Sequence, residues 1–259
     1  MTISWLQIGK KFTKEVTSDL DDPATTIRRK KILQEKKFLH RLYLNFYQEM
    51  AAELQGIPKG PIIELGAGAG FLKEIVPTAF TSELFLVPGL DVVLSAQCLP
   101  FQDGSIGGLM MLNVLHHLPR PVLFLREAER CLSKGGRVVM IEPYNTLFAR
   151  WIYQLVHHED FNPKAGWEHE GQGPLSGANG ALPWIIFARD IHEYQRQFPL
   201  LKLRSIRLHT PFAYLLSGGM SFYSLLPSGY FDAVRKFEQW LSHLQRHLAM
   251  FATICLERA

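Results

Sequence analysis

The stretch Ile62-Ile63-Glu64-Leu65-Gly66-Ala67-Gly68-Ala69-Gly70 decides how this chain folds. Ile62 to Leu65 has the length and composition of a short buried strand. The run from Glu64 to Gly70 reads E-x-G-x-G-x-G, a glycine-rich turn at the strand end. Glycine lets the backbone turn sharply and approach a ligand closely, and backbone N–H groups in such a turn can hold an anionic group. The dinucleotide spacing is G-x-G-x-x-G. Here the third glycine, Gly70, comes one residue early, and an acid, Glu64, stands just before the loop.

Working outward, the residues from Pro23 to Leu54 read as one helix, with Asp22 as its cap and Pro23 suited to its first turn. Leu39, Leu42, Phe46, Met50 and Leu54 make an apolar stripe. Arg28, Arg29, Lys30, Lys31, Lys36 and Lys37 read as a solvated face, the alternative being a phosphate- or membrane-facing patch. On the other side of the glycine turn, Phe71 to Val76 is expected to open a helix that Pro77 ends. Two compact apolar runs, Leu84 to Val87 and Asp91 to Leu94, leave no room between Glu83 and Asp91 for a helix. Further strands are expected at Ile106 to Leu115, Arg137 to Glu142, Leu201 to Leu208 and Ala249 to Leu256. Helices are expected at Pro121 to Leu132, Ala188 to Phe198 and Phe231 to Leu248. Tyr144 to Pro183, rich in aromatics, histidines and glycines, breaks this rhythm and reads as an inserted lid or substrate loop.

Strands alternating with helices imply a parallel sheet wound on both faces. Ligands of such sheets bind beyond the carboxyl ends of the strands. Chemistry is therefore expected after Leu65, near Glu83, after Leu94, after Met111 and after Glu142. The division that follows is an N-terminal helical segment (1–56), a ligand-binding core (57–143), the insertion (144–187) and the rest of the sheet domain (188–259).

Three more stretches fall in a telling order. They are Ser95-Ala96-Gln97-Cys98-Leu99-Pro100-Phe101, Asn113-Val114-Leu115-His116-His117-Leu118 and Lys134-Gly135-Gly136-Arg137. Together with the glycine turn, over residues 62–143, they resemble the class I S-adenosylmethionine (SAM)-dependent methyltransferases, most of all the small-molecule group that includes the ubiquinone and menaquinone methyltransferases. The resemblance implies a Rossmann-like, doubly wound, mostly parallel seven-stranded sheet with helices on both faces, an antiparallel last strand and an inserted lid. It implies SAM as cofactor and S-adenosylhomocysteine as product. By the same resemblance Gly66, Ala67, Gly68 and Gly70 line the methionine end, and Glu64 orients that loop and the cofactor's amino group. An acid ending the second strand grips the ribose: Glu83, with Asp91 as the alternative. Ser95, Ala96 and Gln97 meet adenine, and Asn113 and Val114 pass beside the methyl donor. Ser95 departs from the family's usual Asp.

Methyl transfer from a sulfonium needs alignment, and a base only where the acceptor must lose a proton. His117 is the first candidate base, the other reading of His116 and His117 being a cap or packing role near Pro121. His158, in the cluster His157-His158-Glu159-Asp160, is the second. Adjacent histidines on a helix point apart, so no metal site is expected there. Tyr144, Trp151 and Tyr153 are candidate walls for an apolar acceptor. The expected activity is methylation of a small molecule at oxygen or carbon. An RNA or protein methyltransferase and a non-catalytic SAM-binding protein are the alternatives. The chain of 259 residues is 47% hydrophobic and 20% charged with net charge +4, which suits a globular enzyme and does not demand nucleic acid. Three widely spaced cysteines and an N-terminus without a long apolar run point to a cytoplasmic protein with reduced thiols. The charge-free stretch between Thr210 and Phe231 is broken by prolines and glycines, so it reads as buried or lid-forming, with peripheral lipid contact as the lesser alternative.

Overall fold

The computed structural model describes residues 22–68, 70–156, 159–169 and 177–259. Seven strands form one sheet: β1 (Ile62–Leu65), β2 (Phe80–Glu83), β3 (Val92–Val93), β4 (Ile106–Leu112), β5 (Leu132–Pro143), β6 (Leu201–His209) and β7 (Phe251–Arg258). Their spatial order is β3-β2-β1-β4-β5-β7-β6. Neighbours from β3 to β5 pair in parallel, whereas β7 runs antiparallel to both β5 and β6. β4 is buried along its whole length, as a central strand covered on both faces must be. Its side chains alternate, with Met110 and Leu112 in one apolar layer and Leu109 and Met111 in the other.

The first layer is covered by α1 (Pro23–Glu35) and α2 (Lys37–Glu53), the second by α3 (Pro121–Cys131) and α5 (Ile191–Gln197). The short helix α4 (Leu147–Val156) follows β5, and α6 (Phe231–Trp240) precedes β7. Asp22 caps α1 as expected, accepting the Ala24 N–H at 2.8 Å. The single helix expected from Pro23 to Leu54 is two. Lys36 leaves helical geometry (ψ 79°), and its ammonium donates to the carbonyls of Gly219 and Phe222. That side chain ties the joint between α1 and α2 to the charge-free stretch. No helix among the described residues is long and apolar enough to cross a membrane.

Other boundaries differ for local reasons. Phe71 to Val76 does not become a helix; only Leu72–Glu74 makes a 3₁₀ turn. Six residues ahead of Pro77 are too few to nucleate an α-helix, and proline disfavours helical geometry in the residue before it. Leu84 to Val87 is an irregular turn rather than a strand. Among the described residues no helix separates β2 from β3, as the spacing from Glu83 to Asp91 requires. The helix expected from Ala188 starts within a π-helical stretch, Ile185–Arg189, in which the Asp190 N–H donates to the Ile185 carbonyl at 2.9 Å. The expected helix from Phe231 to Leu248 is interrupted after Trp240 by a 3₁₀ turn, Ser242–Leu244.

Candidate active site

The carboxyl ends of β1, β2, β4 and β5 bring the site together. After β1, Gly66 has φ +64°, and a β-carbon there would stand 2.7 Å from the Val114 side chain. The turns after β1 and β4 therefore touch, and Gly66 makes that approach possible. At Gly70 a β-carbon would lie 1.9 Å from the hydroxyl of Tyr47 in α2. That hydroxyl donates to Glu64 and accepts the Phe71 N–H. Tyr47 thus leaves room for no side chain at Gly70.

Glu64 is 1% exposed and its Oε2 has no hydrogen-bond partner among the described residues. Burial, reinforced by the nearby charge of Glu83 and opposed by the Tyr47 hydrogen bond, pushes its pKa up to about 8. Glu83 accepts the Gly68 N–H on Oε2 at 3.0 Å and the Leu84 N–H on Oε1 at 2.8 Å. Burial raises its pKa against these two bonds. Asp91 does not reach the glycine turn. Its carboxylate accepts Lys73 at 2.6 Å and the Thr81 N–H and hydroxyl at 2.8 and 2.9 Å. Lys73 and then Thr81 hold its pKa down to about 2. Asp91 is a fastener between β2 and the start of β3.

Ser95, Ala96 and Gln97 form a tight turn in which the Ser95 hydroxyl accepts the Gln97 N–H at 3.2 Å. Gln97 Oε1 is buried without a partner among the described residues. After β4, Asn113 takes a left-handed conformation (φ +57°), which asparagine tolerates better than most residues. Its N–H donates to the Ile141 carbonyl at 2.9 Å, its side chain hydrogen-bonds the Tyr43 hydroxyl, and its Oδ1 is buried and unpartnered among the described residues. Ala69 lies outside the described residues.

Glu142, fully buried at the end of β5, organises the next turn. Its Oε1 accepts the N–H groups of Val114 and Leu115 at 2.8 and 2.7 Å, and its Oε2 is 2.6 Å from His116 Nδ1. The turn Leu115–His117 is 3₁₀, and the two imidazoles lie tilted with centroids 4.2 Å apart. His117 Nδ1 is 3.1 Å from the Gly177 carbonyl. Glu159 approaches from the insertion, 3.4 Å from His116 Nε2 and 3.9 Å from His117 Nε2. Burial disfavours a charge on His116, but Glu142 and Glu159 outweigh it and raise its pKa to about 10. Burial and the neighbouring His116 lower that of His117 to about 4, so its imidazole is neutral at pH 7. Glu159 also lies within electrostatic reach of the buried hydroxyls of Tyr43, Tyr153 and Tyr214.

Asn179 locks the insertion onto this turn. Its N–H donates to the His116 carbonyl at 2.9 Å, and its side chain joins Asn162 to Ala181. Of the aromatic candidates, Tyr153 faces inward, donating to the Met250 carbonyl at 3.0 Å and stacking on Phe161. Tyr144 is buried in the layer on the opposite face of the sheet, and Trp151 is 61% exposed, so the three do not share a wall. His158 lies outside the described residues. Tyr43, Tyr47 and Glu142 were not singled out from sequence, and Glu159 was met only as a member of the cluster with His157 and His158. The available signals were the i, i+4 spacing of the two tyrosines and one carboxylate ending an otherwise apolar strand.

Residues 64–140 match a methyltransferase-domain family. An uncharacterized protein of Methanocaldococcus jannaschii is 27% identical over 103 residues, which are 37% of this chain and 50% of that protein. The chain thus matches about half the length of this curated relative. Among solved structures, geranyl diphosphate C-methyltransferase from Streptomyces coelicolor A3(2), in complex with Mg2+, geranyl diphosphate and S-adenosyl-L-homocysteine, superposes with TM-score 0.54 at 14% identity. That match covers 96% of this chain and 88% of the other. A geranyl diphosphate methyltransferase in complex with SAM superposes with TM-score 0.51 at 13% identity, covering 96% of both chains. At these identities the likeness is one of fold.

Proposed function

We propose that this chain, a class I SAM-dependent methyltransferase by its methyltransferase domain and strand order, moves the methyl group of SAM to a small-molecule acceptor at oxygen or carbon. The observation that carries the reading is three buried oxygens with no partner among the described residues, Glu64 Oε2 in β1, Asn113 Oδ1 just after β4 and Gln97 Oε1 in the turn beyond β3. A buried acceptor without a donor is costly, and a bound ligand that brings donors removes the cost. SAM offers an ammonium, ribose hydroxyls and an exocyclic amine, all donors. When bound, it supplies a methyl group on a positively charged sulfur, which leaves by in-line displacement.

The chain's own groups do the rest. Glu64 receives the ammonium beside Gly66, Ala67, Gly68 and Gly70, whose backbone comes close because side chains are absent or small. Glu83 keeps lone pairs beyond those used by Gly68 and Leu84 and receives the ribose hydroxyls. Ser95, Ala96 and Gln97 receive adenine, and Asn113 and Val114 flank the reacting end. His117, neutral and with Nδ1 directed at Gly177, presents Nε2 beside Glu159 as the basic end of the acceptor chamber. Tyr153, with Tyr43 and Tyr214, gives that chamber a mainly apolar wall suited to a small molecule.

The test is calorimetric titration with SAM and with S-adenosylhomocysteine, using Gly68→Arg as the blocked-turn control. Micromolar binding to the native chain, lost in that variant, is the expected result. Absence of binding to a folded protein would overturn the reading.

A further inference from the structure

His116, His117 and Glu159 offer one ligand atom each, and these atoms all lie within 4.8 Å of one another. We propose that they form a three-ligand site for a divalent transition-metal cation of the zinc or iron(II) class, with positions left open toward the acceptor chamber.

The case rests on where the imidazoles are held. Each is fixed through Nδ1, His116 by the Glu142 carboxylate at 2.6 Å and His117 by the Gly177 carbonyl at 3.1 Å. Both Nε2 atoms are thereby turned toward the same carboxylate, at 3.4 and 3.9 Å. Metal-binding imidazoles are oriented in this way, one nitrogen on the metal and the other on a carboxylate or carbonyl. Ligands at about 2.1 Å from a zinc ion in tetrahedral array stand about 3.4 Å apart, so a small closing movement of His117 completes the triangle. An ion pair with Glu159 requires one imidazole, not two held side by side.

The chemistry of the donors sets the cation class. Two imidazoles and one carboxylate suit zinc and iron, whereas magnesium and calcium prefer oxygen alone. Three protein ligands with an open position are characteristic of catalytic rather than structural zinc. Adjacent histidines point apart on an α-helix, but the turn after β4 is 3₁₀ and brings His116 and His117 together. The glutamate comes from 42 positions further along the chain, which conceals the set in the sequence. The inference rests on the acceptor end of the proposed site, where a bound cation would take up the His117 Nε2 lone pair otherwise open to an acceptor proton, and its test does not depend on methyl transfer.

The full chain is stripped with chelator, dialysed separately against Zn2+, Co2+ and Mg2+, and assayed for bound metal. SAM binding is measured in parallel. The expected result is one equivalent of Zn2+ or Co2+, little Mg2+, and a cobalt spectrum of imidazole and oxygen ligation. Glu159→Gln and His117→Ala should each weaken Zn2+ binding at least tenfold while SAM still binds, which reports an intact fold. Glu142→Gln should weaken it about 10- to 100-fold through His116. Equal Zn2+ uptake by the native chain and by Glu159→Gln, or no uptake by a native chain that binds SAM, would overturn the metal site. Zn2+ uptake in a chain that binds no SAM would instead support this site and refute the cofactor reading.

Discussion

Replacing Glu64 by Gln should change how stability depends on pH. In the folded chain the carboxyl titrates at about 8, against 4.5 in the unfolded chain. Because the folded value is the higher, the folded state keeps a proton between these limits that the unfolded state has released. The stabilisation is complete below pH 4.5 and is lost as pH rises toward 8. The slope is about 1.4 kcal/mol per pH unit, so between pH 5 and pH 8 this one group withdraws about 3 kcal/mol. Glutamine fills the same space, can still accept from Tyr47, and does not titrate. Urea unfolding followed by circular dichroism at pH 5, 6, 7 and 8 gives both curves. The native curve should fall more steeply than that of Glu64→Gln, by about 3 kcal/mol over the range. Parallel curves would mean that Glu64 is ionised in the folded chain, and the account of its burial would be refuted. A ligand ammonium at Oε2 would expel the same proton, so SAM titrations near pH 7 in buffers of different ionisation enthalpy should show proton release by the native chain and not by the variant.

Other outcomes follow from the same geometry. Gly70→Ala should destabilise by about 1–3 kcal/mol because the added carbon meets the Tyr47 hydroxyl. Tyr47→Phe alone should cost about 1–3 kcal/mol through the unpaired Glu64 and Phe71 groups, and the two changes together should cost less than their sum in a double-mutant cycle. Glu83→Gln should weaken SAM binding about 10- to 100-fold, the loss of a charge-assisted acceptor, whereas Asp91→Asn should leave the SAM dissociation constant within about threefold of native. Titration calorimetry of the two variants separates them.

The strand ends were legible because each carries a local signature: glycines after Leu65, Asn113 to Leu118 after β4, and the glycine pair before Arg137. The short connection after Glu83 was legible by counting. What the sequence concealed was contact between distant parts of the chain. Tyr47, 23 positions before Gly70, brings its hydroxyl against that glycine and onto Glu64. The basic run from Arg28 likewise contains Arg29, whose Nε is buried and close enough to influence the Tyr43 and Tyr214 hydroxyls. Periodicity tells which face of α2 is apolar, but not that two of its tyrosines hold a glutamate in β1 and an asparagine just after β4. Glu159 was visible only within its histidine cluster, and its partners, His116 and His117, lie on a turn that only the folded sheet brings near.

The order β5-β7-β6 has a kinetic consequence. Among the described residues β6 sits at the sheet edge and pairs with β7 alone, and β7 pairs with β5 over residues 137–143. During synthesis β6 therefore emerges with its hydrogen-bonding edge open and must wait some 40 residues for the strand that attaches it. Until residues 251–258 arrive, β5 presents a bare edge beside the turn that Glu142 organises, and an unpaired edge invites association with other chains. The final strand works as a wedge driven between two waiting neighbours, and the slowest step of assembly is expected to be its insertion.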